Sequence, residues 1–126
     1  WDSSEKSKIN YQLIENGLEI TNMDEDYGLV YTSSFTLIPA TEYELEIRLI
    51  GQTMDKDIEV RVTSTSGTRI QFIEKVDMEN EGEIIQKFIF RTTDDIQAKG
   101  QRIMFNHPGG TNGGFTVKQM ILKIIK

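Results

Sequence analysis

Charged and amide side chains recur at every second position in several stretches of this sequence. One predicted outward-facing set contains Glu44, Glu46, Arg48, Glu59, Arg61, Gln71, Arg102, Met104 and Asn106. Carboxylate, guanidinium and amide groups on one surface suit hydrogen bonding to a ligand rich in hydroxyls. The simpler alternative is a solvated face whose cross-strand charge pairs contribute little to stability. We expect Arg48, Arg61 and Gln71 to lie on adjacent strands and, with Glu46, to contact a ligand.

The single histidine, His107, stands in an Asn-His-Pro-Gly-Gly segment. A catalytic base needs an orienting partner, and a metal site needs further ligands, so a lone histidine predicts neither. We expect a loop in which His107 and Asn106 donate hydrogen bonds to a ligand, or in which His107 is only a turn residue. No pair among the 20 acidic residues stands out as a glycosidase pair, and the chain has no cysteine. The sequence therefore predicts no enzyme activity.

Two loops resemble known ion or phosphate sites but lack their context. The glycine-rich run at 109–114 joins two predicted strands and carries no lysine, whereas a phosphate loop leads into a helix. The acidic run at 22–28 begins like a calcium loop, but its glycine comes one place late. We interpret the first as a flexible connection and the second as a fortuitous acidic loop.

Alternating apolar and polar residues predict the elements that position these side chains. The pattern is clearest over residues 30–64, where a period of two indicates half-buried strands. Asn16-Gly17 predicts a tight hairpin turn. The predicted strands are 8–14, 18–20, 28–37, 43–51, 58–63, 69–76, 83–92, 101–106 and 115–125. About nine or ten strands at this spacing predict an all-β antiparallel sandwich, a jelly roll.

Composition limits the partners that this fold is expected to have. The 126 residues fit one domain, and the formal net charge of −6 disfavours nucleic acid and anionic membranes as partners. No apolar run approaches the roughly 18 residues of a membrane helix. Because the chain starts at Trp1 without a methionine, we expect residues 1–126 to be one module of a larger protein.

The aromatic residues divide into a core set and a small remainder. Seven are predicted to face inward: Phe35, Tyr43, Phe72, Phe88, Phe90, Phe105 and Phe115. Trp1, Tyr11, Tyr27 and Tyr31 are left as candidates for an exposed ring. Trp1 is a ligand contact, a cover over the end of the core, or a contact with a further domain of a larger protein.

Several segments together resemble carbohydrate-binding modules of the family 4/9 type, which are galactose-binding-like jelly rolls. The matching residues are 31–39, the Tyr-headed strand 41–47, Val60 and Val62, the pattern Phe88, Phe90 and Thr92, and the closing strand at 115–117 and 121–122. Trp1 stands where the family often has a tryptophan. Lys118 stands where the family often has an aspartate that helps to hold a structural calcium ion. A lysine cannot ligate Ca²⁺, so we expect that site to be missing or altered, and no other cofactor is expected.

The resemblance implies a non-catalytic module that binds a polysaccharide or oligosaccharide and targets a covalently attached domain to it. It also implies an extracellular or cell-surface location. The candidate ligand contacts are Trp1, Glu46, Arg48, Arg61, Gln71, Asn106 and His107. The alternative is a structural or protein-interaction jelly roll of a surface, phage-tail or glycosyl-processing protein, without a glycan site of its own.

Overall fold

The computed structural model describes residues 2–3, 10–14, 17–21, 28–52, 57–64, 70–78, 82–94, 100–107 and 114–125. Trp1, Tyr27, most of the acidic run at 22–28 and residues 109–113 of the glycine-rich run lie outside these ranges. The side chain of Tyr11 is likewise outside the described part.

The described residues form ten strands and no helix, which confirms the all-β prediction. In chain order the strands are β1 (Asp2–Ser3), β2 (Asn10–Ile14), β3 (Gly17–Thr21), β4 (Gly28–Tyr31), β5 (Glu42–Gln52), β6 (Ile58–Ser64), β7 (Ile70–Val76), β8 (Gly82–Arg91), β9 (Gln101–His107) and β10 (Gly114–Ile124). They pair into two five-stranded antiparallel sheets. Sheet A has the order β1-β4-β9-β6-β7, and sheet B has the order β2-β3-β10-β5-β8. From β4 onward the chain passes repeatedly between the sheets, as in a jelly roll.

The core lies between the two sheets and follows the predicted alternation. Leu45, Ile47 and Leu49 of β5 face Val60 and Val62 of β6 across it, and all five are buried. Each such side chain stabilises the fold by roughly 1.5–3 kcal/mol through burial. Four of the predicted inward aromatics are buried and three are partly buried against the core, which confirms that prediction: Tyr43, Phe90, Phe105 and Phe115, then Phe35, Phe72 and Phe88.

The hairpin predicted at Asn16-Gly17 is confirmed by strand pairing, because Ile14 of β2 lies opposite Gly17 of β3. Gly17 has φ +141°, a conformation that favours glycine. A Cβ added to Gly17 would lie 2.2 Å from the backbone oxygen of Val117 in β10. Two independent constraints therefore require glycine at this position: the positive φ angle and the close approach of the Val117 backbone oxygen.

Residues of the Tyr-headed strand and the Phe-x-Phe-x-Thr pattern meet at one end of the sandwich. The Tyr43 hydroxyl accepts a hydrogen bond from the Ile38 backbone N–H at 2.9 Å. Thr92 Oγ1 donates to the Ile38 carbonyl at 2.7 Å and accepts from the Thr41 N–H at 2.9 Å. These bonds fix the turn at Pro39, so both sequence patterns here have a structural role.

Two predictions about strand placement are wrong. Residues 28–37 were expected to form one strand, but β4 ends at Tyr31 and only an isolated bridge, Phe35 to Gln101, follows. The chain leaves sheet A there to enter sheet B. Arg48 and Arg61 were expected on adjacent strands, but β5 belongs to sheet B and β6 to sheet A. A period of two shows which side of a strand is buried and carries no information about which sheet the strand joins.

Candidate functional site

Each sheet has an outward surface, and the two surfaces differ in composition. The A face is defined by the outward residues of β4, β9, β6 and β7: Leu29, Tyr31, Arg102, Met104, Asn106, Glu59, Arg61, Thr63, Ile70, Ile73 and Lys75. The B face is defined by the outward residues of β3, β10, β5 and β8: Glu19, Thr116, Gln119, Ile121, Lys123, Glu42, Glu44, Glu46, Arg48, Ile50, Glu83, Ile85, Lys87, Ile89 and Arg91.

The A face carries an aromatic ring beside a guanidinium. Tyr31 of β4 is partly exposed, and the Arg102 guanidinium carbon lies 4.3 Å from the centre of its ring. This geometry is a cation–π contact. Met104, two residues along β9, lies between Tyr31 and Arg61 in register and is only 8% exposed although it faces outward. Tyr31 and Met104 therefore give the A face an apolar centre.

Asn106 supplies an unsatisfied acceptor on the same strand. It lies between Leu29 of β4 and Glu59 of β6 in register. Its Oδ1 is buried, and it accepts no hydrogen bond from the described residues. A buried acceptor without a donor costs on the order of 1–3 kcal/mol. The residue as a whole is partly exposed, so a ligand can contact Asn106 although this oxygen is covered by protein atoms.

Arg61 and Glu59 occupy the third strand of the A face. The Arg61 Nε donates to Glu59 Oε1, and the Nη2 contacts the same oxygen. Both side chains are partly buried, at 29% and 20% exposure. Glu59 is thus already engaged as the counter-ion of Arg61, and the pair forms a polar border beside Met104.

On the B face, acidic and basic side chains pair with one another across strands. Glu46 Oε1 lies 3.8 Å from Lys87 Nζ, and Glu44 Oε1 lies 3.5 Å from Lys123 Nζ. The two carboxylate oxygens of Glu83 lie 3.9 Å from Arg48 Nη1 and 3.5 Å from Lys118 Nζ. The exposed isoleucines Ile85, Ile89 and Ile121 alternate with these charges and form no continuous apolar surface. The B face has the character of a solvated surface.

The predicted site residues are divided among several places. Arg61 and Asn106 lie together on the A face, whereas Glu46 and Arg48 lie on the B face. Gln71 lies in β7, where its Oε1 accepts a hydrogen bond from the Thr93 N–H at 2.9 Å. Trp1 is outside the described residues.

The loop position predicted for His107 is wrong. His107 is the last residue of β9, and its side chain is fully buried on the inner side of sheet A. Its ring stacks on Phe115 of sheet B with 5.9 Å between centroids. Strand β9 runs one residue further than the Asn-His-Pro sequence suggested, and the alternation then directs His107 into the core. In this position it cannot donate to a ligand on the surface.

Two A-face residues, Tyr31 and Arg102, were not among the candidate ligand contacts predicted from the sequence. Tyr31 was a candidate exposed ring and Arg102 an outward residue, but their contact depends on the pairing of β4 with β9. These strands are about 70 positions apart in the chain, so their pairing could not be predicted. The sequence indicated only that Tyr31 was a candidate for an exposed ring.

No cluster of three or more metal-ligating side chains occurs within the described residues. Lys118 is the extra residue at a bulge of β10, and its Nζ lies 3.5 Å from Glu83 Oε2. The expectation of a missing or altered calcium site stays a prediction. In the described part of the chain, no helix is long and apolar enough to cross a membrane.

The chain matches no protein-family model. It matches no curated protein sequence. Among solved structures it is similar to a family 4 carbohydrate-binding module, with a TM-score of 0.76 and 13% identity over 94% of this chain and 78% of that chain. It is also similar to a family 6 module of Cellvibrio mixtus lichenase 5A in complex with cellotriose, with a TM-score of 0.59 and 11% identity over 94% and 92% of the two chains.

A third similar structure is the enzymatically active domain of tailspike protein 4 from bacteriophage CBA120. The TM-score is 0.63 and the identity 9%, over 98% of this chain but only 18% of that one. Together these structures show that the chain has the jelly-roll fold of carbohydrate-binding modules, as the sequence resemblance implied. At such low identities they show the fold alone.

Proposed function

We propose that this chain is a non-catalytic carbohydrate-binding module whose A face binds a polysaccharide or oligosaccharide. The observation that carries the proposal is the arrangement of Tyr31, Arg102 and Asn106 on neighbouring strands of one outward face. An aromatic ring packs against the apolar side of a sugar, and planar polar groups hydrogen-bond its hydroxyls. Asn106 and Arg102 are four residues apart on β9, roughly 13 Å in an extended strand, which leaves room for more than one sugar.

The same face argues against glycan hydrolysis. A glycosidase places two carboxyl groups on the order of 5–10 Å apart around the scissile bond. Among the outward residues of β4, β9, β6 and β7 the one carboxylate is Glu59, and it is engaged by Arg61. Asp2 of β1 lies opposite Tyr31 in register, and its side chain is outside the described part. Binding without turnover suits a module that holds an attached domain near its glycan outside the cell or at its surface. The net charge of −6 disfavours nucleic acid and anionic lipid as alternative partners.

Affinity electrophoresis against a panel of polysaccharides, followed by calorimetry, tests the proposal. Retardation by at least one glycan is expected. Tyr31→Ala and Asn106→Ala should each weaken that binding by about tenfold, because each removes a contact worth roughly 1–2 kcal/mol. Glu46→Gln on the B face is the control and should bind like the wild type. Absence of retardation by every glycan, or a loss confined to Glu46→Gln, would refute the A face as a glycan site.

A second candidate function, a protein-interaction module, is favoured by Ile85 and Ile89 on β8. Their side chains are 48% and 63% exposed on the outermost strand of sheet B. If this strand binds a protein or a second copy, sedimentation should show association that Ile85→Ser with Ile89→Ser abolishes. A wild-type monomer that binds glycan would exclude association as the main role.

A further inference from the structure

Arg102 is held in place by Tyr31. Its guanidinium carbon lies 4.3 Å from the ring centre. Among the side chains that the structure describes, no carboxylate lies within ion-pair distance of Arg102, whereas Arg61 on the same face is bound to Glu59. Asp2 of β1 lies opposite Tyr31 in register, and its side chain is outside the described part. The two arginines of the A face therefore differ: Arg61 is paired with a described carboxylate, and Arg102 is not.

The surroundings of Arg102 favour an anion. On β4, β9, β6 and β7 the outward charged residues are Arg61, Arg102 and Lys75 against Glu59. Asp2 of β1 lies opposite Tyr31 in register, and with it the formal net charge is +1. The whole chain carries −6. On the B face, five acidic residues are balanced by four basic ones and by Lys118 at the bulge. The face that carries Tyr31, Asn106 and Met104 is thus slightly positive, although the chain as a whole is negative.

We propose that the A face selects an anionic glycan, with Arg102 binding the carboxylate or sulfate group of one sugar. The inference rests on the proposed glycan-binding function and names its ligand class. A guanidinium held over a ring by a cation–π contact keeps N–H donors in its own plane, where two of them match two oxygens of a carboxylate or sulfate group. Because the stack already restricts the side chain, less conformational entropy is lost when the anion binds.

The neighbouring groups fit a sugar that carries such an anion. Asn106 is partly exposed, and its amide group suits a hydroxyl, which can both donate and accept a hydrogen bond. It lies four residues from Arg102 along β9. A glycan lying along β9 would therefore present a negatively charged group at the Arg102 end and a hydroxyl at the Asn106 end.

Calorimetry with three glycans tests the inference on the whole chain. The probes are oligogalacturonate for carboxylates, a sulfated carrageenan oligosaccharide for sulfates, and cello-oligosaccharide as the neutral member. We expect one anionic probe to bind at least tenfold more tightly than the neutral one. Raising the salt concentration from 0.05 M to 0.5 M should weaken that binding, since salt screens exposed charges. The negative net charge of the chain works against nonspecific binding of polyanions.

Arg102→Gln should reduce binding of the anionic probe by at least tenfold, and Arg102→Lys should recover only part of it because a lysine lacks the planar fork. Tyr31→Phe keeps the ring and should keep the preference, whereas Tyr31→Leu should reduce it. The matched control is Arg91→Gln, which removes an exposed arginine from the B face. Thermal unfolding of each variant establishes that it is folded.

The outcomes separate this inference from the proposed function. Preference for the carboxylated or the sulfated probe, lost in Arg102→Gln and kept in Arg91→Gln, supports the inference and identifies the anion. Equal or tighter binding of the neutral probe overturns the inference and leaves the glycan-binding function intact. Absence of binding to all three probes and to the wider polysaccharide panel overturns both.

Discussion

The two outward faces of this sandwich satisfy their polar groups in different ways. On the B face, opposite charges lie 3.5–3.9 Å apart across strands and neutralise one another. On the A face, Asn106 Oδ1 is buried with no donor among the described residues, and the Arg102 guanidinium lies over an aromatic ring. Most described charges of the B face are paired within the protein, whereas Asn106 Oδ1 and Arg102 on the A face have no described donor or carboxylate partner. Such local departures from satisfied bonding are typical of functional sites.

Arg48 is a partial exception on the described B face, and the exposed Arg91 has no ion pair among the described side chains. The Nε of Arg48 is buried without a described hydrogen-bond partner, yet its Nη1 lies 3.9 Å from Glu83 Oε1 and the side chain is 42% exposed. The charge of Arg48 is therefore both paired and hydrated. The Arg102 guanidinium differs from it in lying over an aromatic ring.

The largest expected effect lies in the backbone beneath the B face. Gly17→Ala should lower the free energy of unfolding by about 3–5 kcal/mol, because the new Cβ would meet the Val117 oxygen at 2.2 Å and φ is +141°. Urea unfolding followed by circular dichroism measures this loss. If sheet B is only a scaffold for the A face, glycan affinity per folded molecule should not change.

Gly82→Ala is the matched control for the Gly17 variant. Gly82 also has a positive φ, +110°, but a Cβ there would meet no atom within 4 Å. Only backbone strain remains, so a loss of about 1–2 kcal/mol is expected. Equal losses in the two variants would show that the contact with Val117 contributes nothing.

His107→Ala should cost the next largest amount, about 2–4 kcal/mol of stability, because a fully buried ring that stacks on Phe115 is removed. Denaturant unfolding gives the stability, and calorimetry on the folded protein gives the affinity. Affinity should stay within twofold of the wild type. A folded, stable His107→Ala protein that no longer binds glycan would restore the ligand role predicted from the sequence.

Asn106→Leu should separate stability from binding on the A face. Removal of an unsatisfied buried acceptor should raise the free energy of unfolding by about 1 kcal/mol. The same change should weaken glycan binding about tenfold, since a ligand hydroxyl loses its hydrogen bond to the amide group. Thermal unfolding and calorimetry on one preparation measure both quantities.

Gln119→Leu on the B face is the control for Asn106→Leu, because Gln119 is an exposed amide. It should change neither stability nor affinity appreciably. If Asn106→Leu destabilises the protein, its Oδ1 is not an unsatisfied acceptor and the contrast between the faces weakens.

The parts of this fold that depend on local pattern could be predicted from the sequence. Alternation predicted that Leu45, Val60 and Phe90 would be buried, because side chains of a strand point alternately to its two sides. The hairpin at Gly17 was predictable because few residues adopt its backbone angle. The division of strands between sheets was not, since β5 pairs with β8 and β10, far along the chain.

That missing information concerns which of the candidate site residues share a face. Arg61 and Asn106 are neighbours on the A face, but nothing local separates them from Glu46 and Arg48, which show the same alternation on sheet B. The contact of Arg102 with Tyr31 depends on the β4–β9 register, which no local pattern encodes. His107 was misplaced because its neighbours Pro108 and Gly109 suggested a loop, while its strand continued one residue further.

The smallest expected effect lies in the ion pair between Glu46 and Lys87. Its atoms are 3.8 Å apart and the lysine side chain is 59% exposed, so a double-mutant cycle with Glu46→Gln and Lys87→Gln should give a coupling of about 0.5 kcal/mol or less. Neither substitution should change glycan affinity.

The same cycle on the A face, with Glu59→Gln and Arg61→Gln, involves side chains only 20% and 29% exposed and should give a larger coupling, about 1 kcal/mol. Glu59→Gln also releases Arg61 from its carboxylate, so binding of an anionic glycan should become tighter. Urea unfolding measures the couplings, and calorimetry measures the affinities. A larger coupling on the B face would show that the partial burial of Glu59 and Arg61 does not strengthen their pairing. Tighter glycan binding after Glu46→Gln than after Glu59→Gln would contradict the assignment of the glycan site to the A face.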